Sequence, residues 1–142
     1  MLRRSMLPAA IGLLAMPAIA QTRQGPPHEW MYGSWSGGIF PAVETVGPGC
    51  FGAVALIVTR DVIMRVSSLD VAFRQRAIET VALTPDGLEF RLVPVGGRPA
   101  PETGFGCDGN PDLLRVSRRN PDEVVLPGCV EFPGALRRCK TS

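Results

Sequence analysis

The chain has 142 residues, with 15 Lys and Arg against 13 Asp and Glu, for a formal net charge of +2. So small an excess excludes a general nucleic-acid binder, which needs a strongly basic surface to displace counterions from phosphates. One His, one Lys and one Tyr leave few side chains for proton transfer near neutral pH.

Residues 1–20 have the three parts of a secretory signal peptide. Arg3 and Arg4 form the basic start, Leu7 to Ile19 is apolar apart from Pro8, Gly12 and Pro17, and Ala18-Ile19-Ala20 is the small-x-small site ahead of Gln21. The apolar run of about 13 residues holds two prolines and falls short of the ~20 that a membrane span needs. No Cys follows the cleavage site, so a lipoprotein is not expected, and no later run is apolar enough to span. The Arg-Arg pair also fits a twin-arginine signal. Removing these residues leaves 122, with 13 basic and 13 acidic side chains and no net charge. A periplasmic or secreted location follows.

Residues 21–29, with Gly25-Pro26-Pro27, read as a flexible lead-in. Residues 30–142 form one domain in which strand and turn signals alternate. Ser34 to Phe40 is a strand carrying Trp35, and 42–52, with Gly47-Pro48-Gly49, is a loop. Ala53 to Thr59 is an apolar β-branched run, Arg60-Asp61 turns, and Val62 to Ser67 returns. Ala72 to Thr84 alternates with a phase change near Ala77 that suggests a bulge. Pro85-Asp86-Gly87 is a hairpin turn, because Pro fixes φ and Gly tolerates positive φ. Leu88 to Val95 alternates most cleanly, with Leu88, Phe90 and Leu92 on the dry face and Glu89 and Arg91 on the wet one. Residues 96–111 are a loop rich in Gly and Pro. Asp112 to Arg118 is a strand, Asn120-Pro121-Asp122 turns, and Glu123 to Leu126 follows. About eight short strands at regular spacing, with no capped helical window, predict an all-β fold: a single small antiparallel barrel, with a sandwich as the alternative.

Cys50, Cys107, Cys129 and Cys139 are an even set in an exported chain and read as two disulfides. Their spacings of 57, 22 and 10 lack the close pairs of a structural zinc site, and no metal is expected. Pro133-Gly134 is a turn dipeptide midway between Cys129 and Cys139. A hairpin centred there would set those two opposite each other, so the expected pairs are Cys129–Cys139 and, by elimination, Cys50–Cys107.

Gly33-Ser34-Trp35 at the start of the first strand resembles the Gly-x-Trp of lipocalins and other calycin-like barrels, including avidins and small bacterial protease inhibitors. The resemblance implies that Trp35 plugs one end of a barrel and that a basic side chain late in the chain, Arg137 or Arg138, packs across it. It covers three residues and a strand count. The second lipocalin sequence block and the C-terminal helix are missing, and the length is closer to the inhibitor and avidin types.

Other motifs fail on context. Gly104-Phe105-Gly106-Cys107-Asp108-Gly109 has the glycine spacing of a dinucleotide loop, yet Pro-rich sequence precedes it and Pro111 follows, where a helix should start. Asp108 to Asp112 begins like a calcium loop, but the sixth position is Leu113 and the twelfth Arg119. No catalytic set is formed: His28 lies in the lead-in, the thiols are spent, and Glu79, Glu89, Glu123 and Glu131 fall on exposed faces or turns. Arg115, Arg118, Arg119, Arg137, Arg138 and Lys140, against Asp122, Glu123 and Glu131, give the last 30 residues a basic excess that either forms a patch or is a solvated strand face. Only nine aromatics are present, too few to expect a stacking platform. The resulting expectation is a non-enzymatic binding module without a cofactor, of inhibitor type, acting on an envelope or secreted protein through residues 41–49 and 96–111. A carrier of a small apolar ligand and a small periplasmic hydrolase are the alternatives.

Overall fold

The computed structural model describes residues 12, 14–17, 24–66, 74–97 and 103–141. Most of the signal segment, the start of the strand expected from Ala72 and part of the 96–111 loop lie outside these residues. Eight strands form one closed antiparallel barrel: β1 (Gly33–Gly37), β2 (Val54–Val58), β3 (Val62–Arg65), β4 (Gln75–Thr84), β5 (Gly87–Leu92), β6 (Leu113–Asn120), β7 (Glu123–Val125) and β8 (Leu136–Arg138). Each strand pairs with its neighbours in sequence, and β8 pairs with β1 to close the wall. Closure removes the unpaired strand edges that a sandwich of this size would have to protect.

Alternation places one face of each strand inward. Trp35, Leu56, Val58, Ile63, Leu88, Phe90, Leu92, Leu114, Val116, Val124 and Leu136 are buried in one contiguous cluster. Trp35, Phe90 and their neighbours fill the barrel with its own side chains. The clean alternation of β5 is retained, with Leu88, Phe90 and Leu92 buried and Arg91 exposed. The phase change in β4 is a register shift between Ile78 and Thr80, just past Ala77. A second shift, in β6, lies between Arg118 and Asn120. Gly87 is required at the β4–β5 turn for room: a Cβ there would lie 1.9 Å from the Val116 carbonyl oxygen of β6. Asn110 and Asn120, in two Asn-Pro-Asp triplets, use their side-chain oxygens to accept the amide of the residue two positions on, at 2.9 and 3.0 Å, and so start the chain into β6 and β7.

Three expectations are corrected. The loop over 42–52 contains a short helix α1 (Gly47–Phe51), with Pro48 in its first turn where a missing N–H costs nothing. The hairpin over 129–139 does not form. Its second strand, β8, instead pairs with β7 and β1, while the Pro133-Gly134 turn folds onto the end of β1, the Gly134 amide donating to the Gly38 carbonyl at 2.7 Å. The disulfides are consequently Cys50–Cys139 and Cys107–Cys129. A barrel places Cys139 beside β1, its amide donating to the Ser34 carbonyl at 2.8 Å, and brings Cys107 and Cys129 into an isolated antiparallel bridge. With both bridges formed, no cysteine is free.

The lead-in is also shorter than expected. His28 is 3% exposed and packs edge-on against Tyr32 and Phe90. Its Nε2 lies 3.2 and 2.9 Å from the carbonyl oxygens of Thr59 and Arg60 in the β2–β3 turn, so that nitrogen carries the proton and donates. A 3-10 turn over Glu29–Met31 follows and buries Met31 beneath the barrel end.

Candidate functional site

The two ends of the barrel are closed by different chemistry. At the first end, where β1 starts and β8 finishes, Trp35 is fully buried and its indole Nε1 donates to the Met31 carbonyl at 3.0 Å. The Arg138 guanidinium lies over the Trp35 ring, 4.4 Å from its centroid. It also donates to the carbonyls of Tyr32 at 2.7 Å, Pro121 at 3.3 Å and Trp30. Arg118 covers the Trp30 ring at 4.1 Å. Arg137 points the other way, toward Glu123 at 3.4 Å. This alternation follows from the strand: Leu136 faces in and Arg137 out, so Arg138 faces the barrel axis again.

At the opposite end the closing residue is Arg76 of β4, which is fully buried. Its guanidinium donates to the carbonyls of Thr103 at 2.8 Å, Val93 at 3.0 Å and Pro111 at 3.3 Å, and to the Asp112 carboxylate at 2.6 Å. Its Nε has no partner. Arg76 thus gathers the loop that joins β5 to β6. Arg74 donates to the Gly104 carbonyl at 2.7 Å, and Arg65 pairs with Glu131 while lying over Phe132 at 5.2 Å. Sequence reasoning missed Arg76. The available signal was an arginine in phase with the inward positions of its strand, opposite Ile63.

The basic residues near the end of the chain do not form one patch. Arg115 pairs with Glu89 at 3.2 Å, and Arg138 and Lys140 share Asp122 at 3.3 and 2.6 Å. With Arg137 on Glu123 and Arg118 on Trp30, the excess is spent locally, while Arg119 is exposed. The Lys140 hydrogen bond and the charges of Lys140 and Arg138 hold the Asp122 carboxyl below the usual carboxylate range. Glu131 pairs with Arg65 and stays partly exposed.

The glycine-rich segment 104–109 serves the disulfide. The Asp108 amide donates to the Gly128 carbonyl at 2.8 Å, and the Val130 amide donates to the Gly106 carbonyl at the same distance, so the Cys107–Cys129 bridge sits in a small two-stranded clip. Asp112, the last oxygen of the calcium-like run, is taken by Arg76. Among the described residues, no three His, Cys, Asp or Glu side chains converge on a point that could hold a metal ion.

The most exposed apolar surface is the β1–β2 loop, residues 38–53. Five of the eleven exposed large apolar side chains among the described residues lie in it: Ile39, Phe40, Val43, Val46 and Phe51. Phe40 is 78% and Val43 95% exposed. The loop is nevertheless fixed. It folds back along β1, where the Ser36 hydroxyl donates to the Ala53 carbonyl at 2.9 Å. Lys140 brackets it through Gly47 and Thr45, at 2.8 and 2.9 Å, and Cys139 holds Cys50 covalently. Between the loop and the barrel wall lies a concavity of about 380 Å³, lined by Ile39, Phe40, Val43, Glu44, Gly49 and Ala55 among others. Apolar side chains held in solvent on a cross-linked scaffold bury area on any contact without the cost of ordering a loop.

Comparison of the chain with protein-family models, with characterised proteins and with solved structures returned no match. The two disulfides fit an oxidising compartment. No helix among the described residues is long and apolar enough to cross a membrane.

Proposed function

We propose that the protein is an exported, non-enzymatic binding module that recognises a protein partner through the β1–β2 loop. The observation that carries this proposal is the pairing of Phe40 and Val43, exposed at 78% and 95%, with the Cys50–Cys139 bridge that pins their loop to the barrel. A surface that is both apolar and prefixed suits binding of a folded partner. The filled interior supports a surface role over carriage of a small apolar ligand, which needs open space inside the wall. The signal-like residues 1–20 and the two disulfides support a periplasmic or secreted site of action. The meander of eight strands, with Trp35 under Arg138, supports placing the barrel with the calycin-like inhibitors and not with soluble enzymes.

The test uses the protein recovered after export from its own host, carrying a photo-crosslinking amino acid at position 40 or, on the opposite wall, at Arg91. The expected result is one protein adduct from position 40 that is absent from position 91 and is lost in the Val43→Asp variant. Equal adducts from both positions, or a small molecule retained by the unmodified protein in native mass spectrometry, would overturn the proposal.

A further inference from the structure

The concavity beside the β1–β2 loop has a one-sided character. Its walls are Ile39, Phe40, Pro41, Val43, Ala53 and Ala55, and the charged side chain in its lining is Glu44. Glu89, Asp112, Asp122, Glu123 and Glu131 each face a cation. Glu44 is exposed and has no ion-pair or hydrogen-bond partner among the described residues. Its carboxylate lies over Gly49, where a Cβ would sit 1.7 Å from one carboxylate oxygen and 2.5 Å from the carboxylate carbon, at the lip of the apolar walls. A neutral partner would leave that charge desolvated and unpaired, and an acidic one would be repelled.

We propose that this concavity receives an arginine or lysine side chain from the protein partner. The inference rests on the binding-module function proposed above and names the group recognised there. A basic side chain has the required two parts. Its methylene stem covers apolar surface while its cationic head stays at the wet rim, and the Phe40 ring offers a face to a guanidinium. The volume of about 380 Å³ has room for a basic side chain laid along the apolar walls.

The experiment titrates the isotopically labelled protein, recovered after export, with the neutral-capped amino acids acetyl-arginine-N-methylamide and acetyl-citrulline-N-methylamide, followed by NMR. Citrulline has the shape of arginine without its charge. The expected result is saturable shifts at Ile39, Phe40, Val43 and Ala53, with half-saturation on the order of millimolar for so small a probe. Citrulline should bind about fivefold more weakly, the scale of one rim-exposed ion pair. Glu44→Gln should bring arginine to the citrulline level. Equal titration by the two probes, or shifts confined to other residues, would overturn the proposal. So would loop shifts that depend on protein concentration without any probe, which would assign the surface to a second copy of the chain. If the adduct at position 40 is lost in Val43→Asp but survives Glu44→Gln, the binding-module function stands and the basic side chain as its ligand does not.

Discussion

Replacing Arg76 by Met tests how the end of the barrel opposite Trp35 is held. Met keeps most of the stem volume and removes the guanidinium, leaving the carbonyls of Thr103, Val93 and Pro111 and the Asp112 carboxylate without their shared donor. Breaking a buried ion pair by deleting one partner costs about 3–5 kcal/mol. Asp112 retains 29% side-chain exposure, so water recovers part of that loss and the lower figure applies, about 3 kcal/mol. Counting about 1 kcal/mol for each of the three lost carbonyl bonds gives the same size. That is a large share of the ~5–15 kcal/mol that holds a domain folded. The assay is urea denaturation with both disulfides intact, followed by far-ultraviolet circular dichroism. With a slope of about 2 kcal/mol/M the midpoint should fall by about 1.5 M. Asp112→Asn keeps an acceptor and the three carbonyl bonds, and should cost only about 1–2 kcal/mol. The two changes should be non-additive by about 1 kcal/mol or more, because they remove the same contact. A midpoint unchanged in Arg76→Met, or strict additivity, would refute the assignment of Arg76 as the clasp of this end.

Three further outcomes are expected. Replacing Cys50 and Cys139 by Ser should destabilise the protein more than replacing Cys107 and Cys129, because the first bridge spans 89 residues and the second 22; the chain-entropy difference is about 1 kcal/mol, and paired denaturation curves measure it. The Asp122 carboxyl is held low in the folded protein, so its contribution is complete above the usual carboxylate range and is lost as pH falls through the folded value; Asp122→Asn should flatten the fall of thermal stability below about pH 4 while leaving arginine-probe binding unchanged. Arg138→Lys retains the charge but not the planar fork that meets three carbonyls and covers Trp35. A loss of about 1–2 kcal/mol, with a changed near-ultraviolet dichroism of tryptophan, is expected, and an unchanged spectrum would contradict the stacking role.

The strands were legible because their signal is local. Alternation in Leu88 to Leu92, the Pro85-Asp86-Gly87 turn and the Asn120-Pro121-Asp122 turn each depend on neighbours in sequence, and each lies where the sequence placed it. What pairs with what is not local. The hairpin expected around Pro133-Gly134 was a sound short-range inference, overridden by closure of the barrel, which gives Leu136 to Arg138 to β1 and β7. The disulfide pairing went wrong for that same reason. His28 reads as part of a polar tail because its partners, the carbonyls of Thr59 and Arg60, are about thirty residues away. Arg76 hides in an otherwise ordinary strand because its acceptors lie in the β5–β6 loop, 17 to 36 residues further along the chain. Residues 41–49 read as a contact surface because they form a long loop on a rigid scaffold. Glu44 carries no signal of its own in the sequence, since its setting is made by apolar walls brought together from both ends of the loop.

The seam between β1 and β8 also has a temporal consequence. It joins Gly33–Gly37 to Leu136–Arg138, so the ring cannot be completed until nearly a hundred intervening residues have found their places. Contacts of such long sequence separation slow folding. Until the seam forms, β1 and β8 each present a bare row of backbone donors and acceptors, open to any passing strand. The hour of greatest vulnerability for this chain is therefore its birth, when the seam is still open.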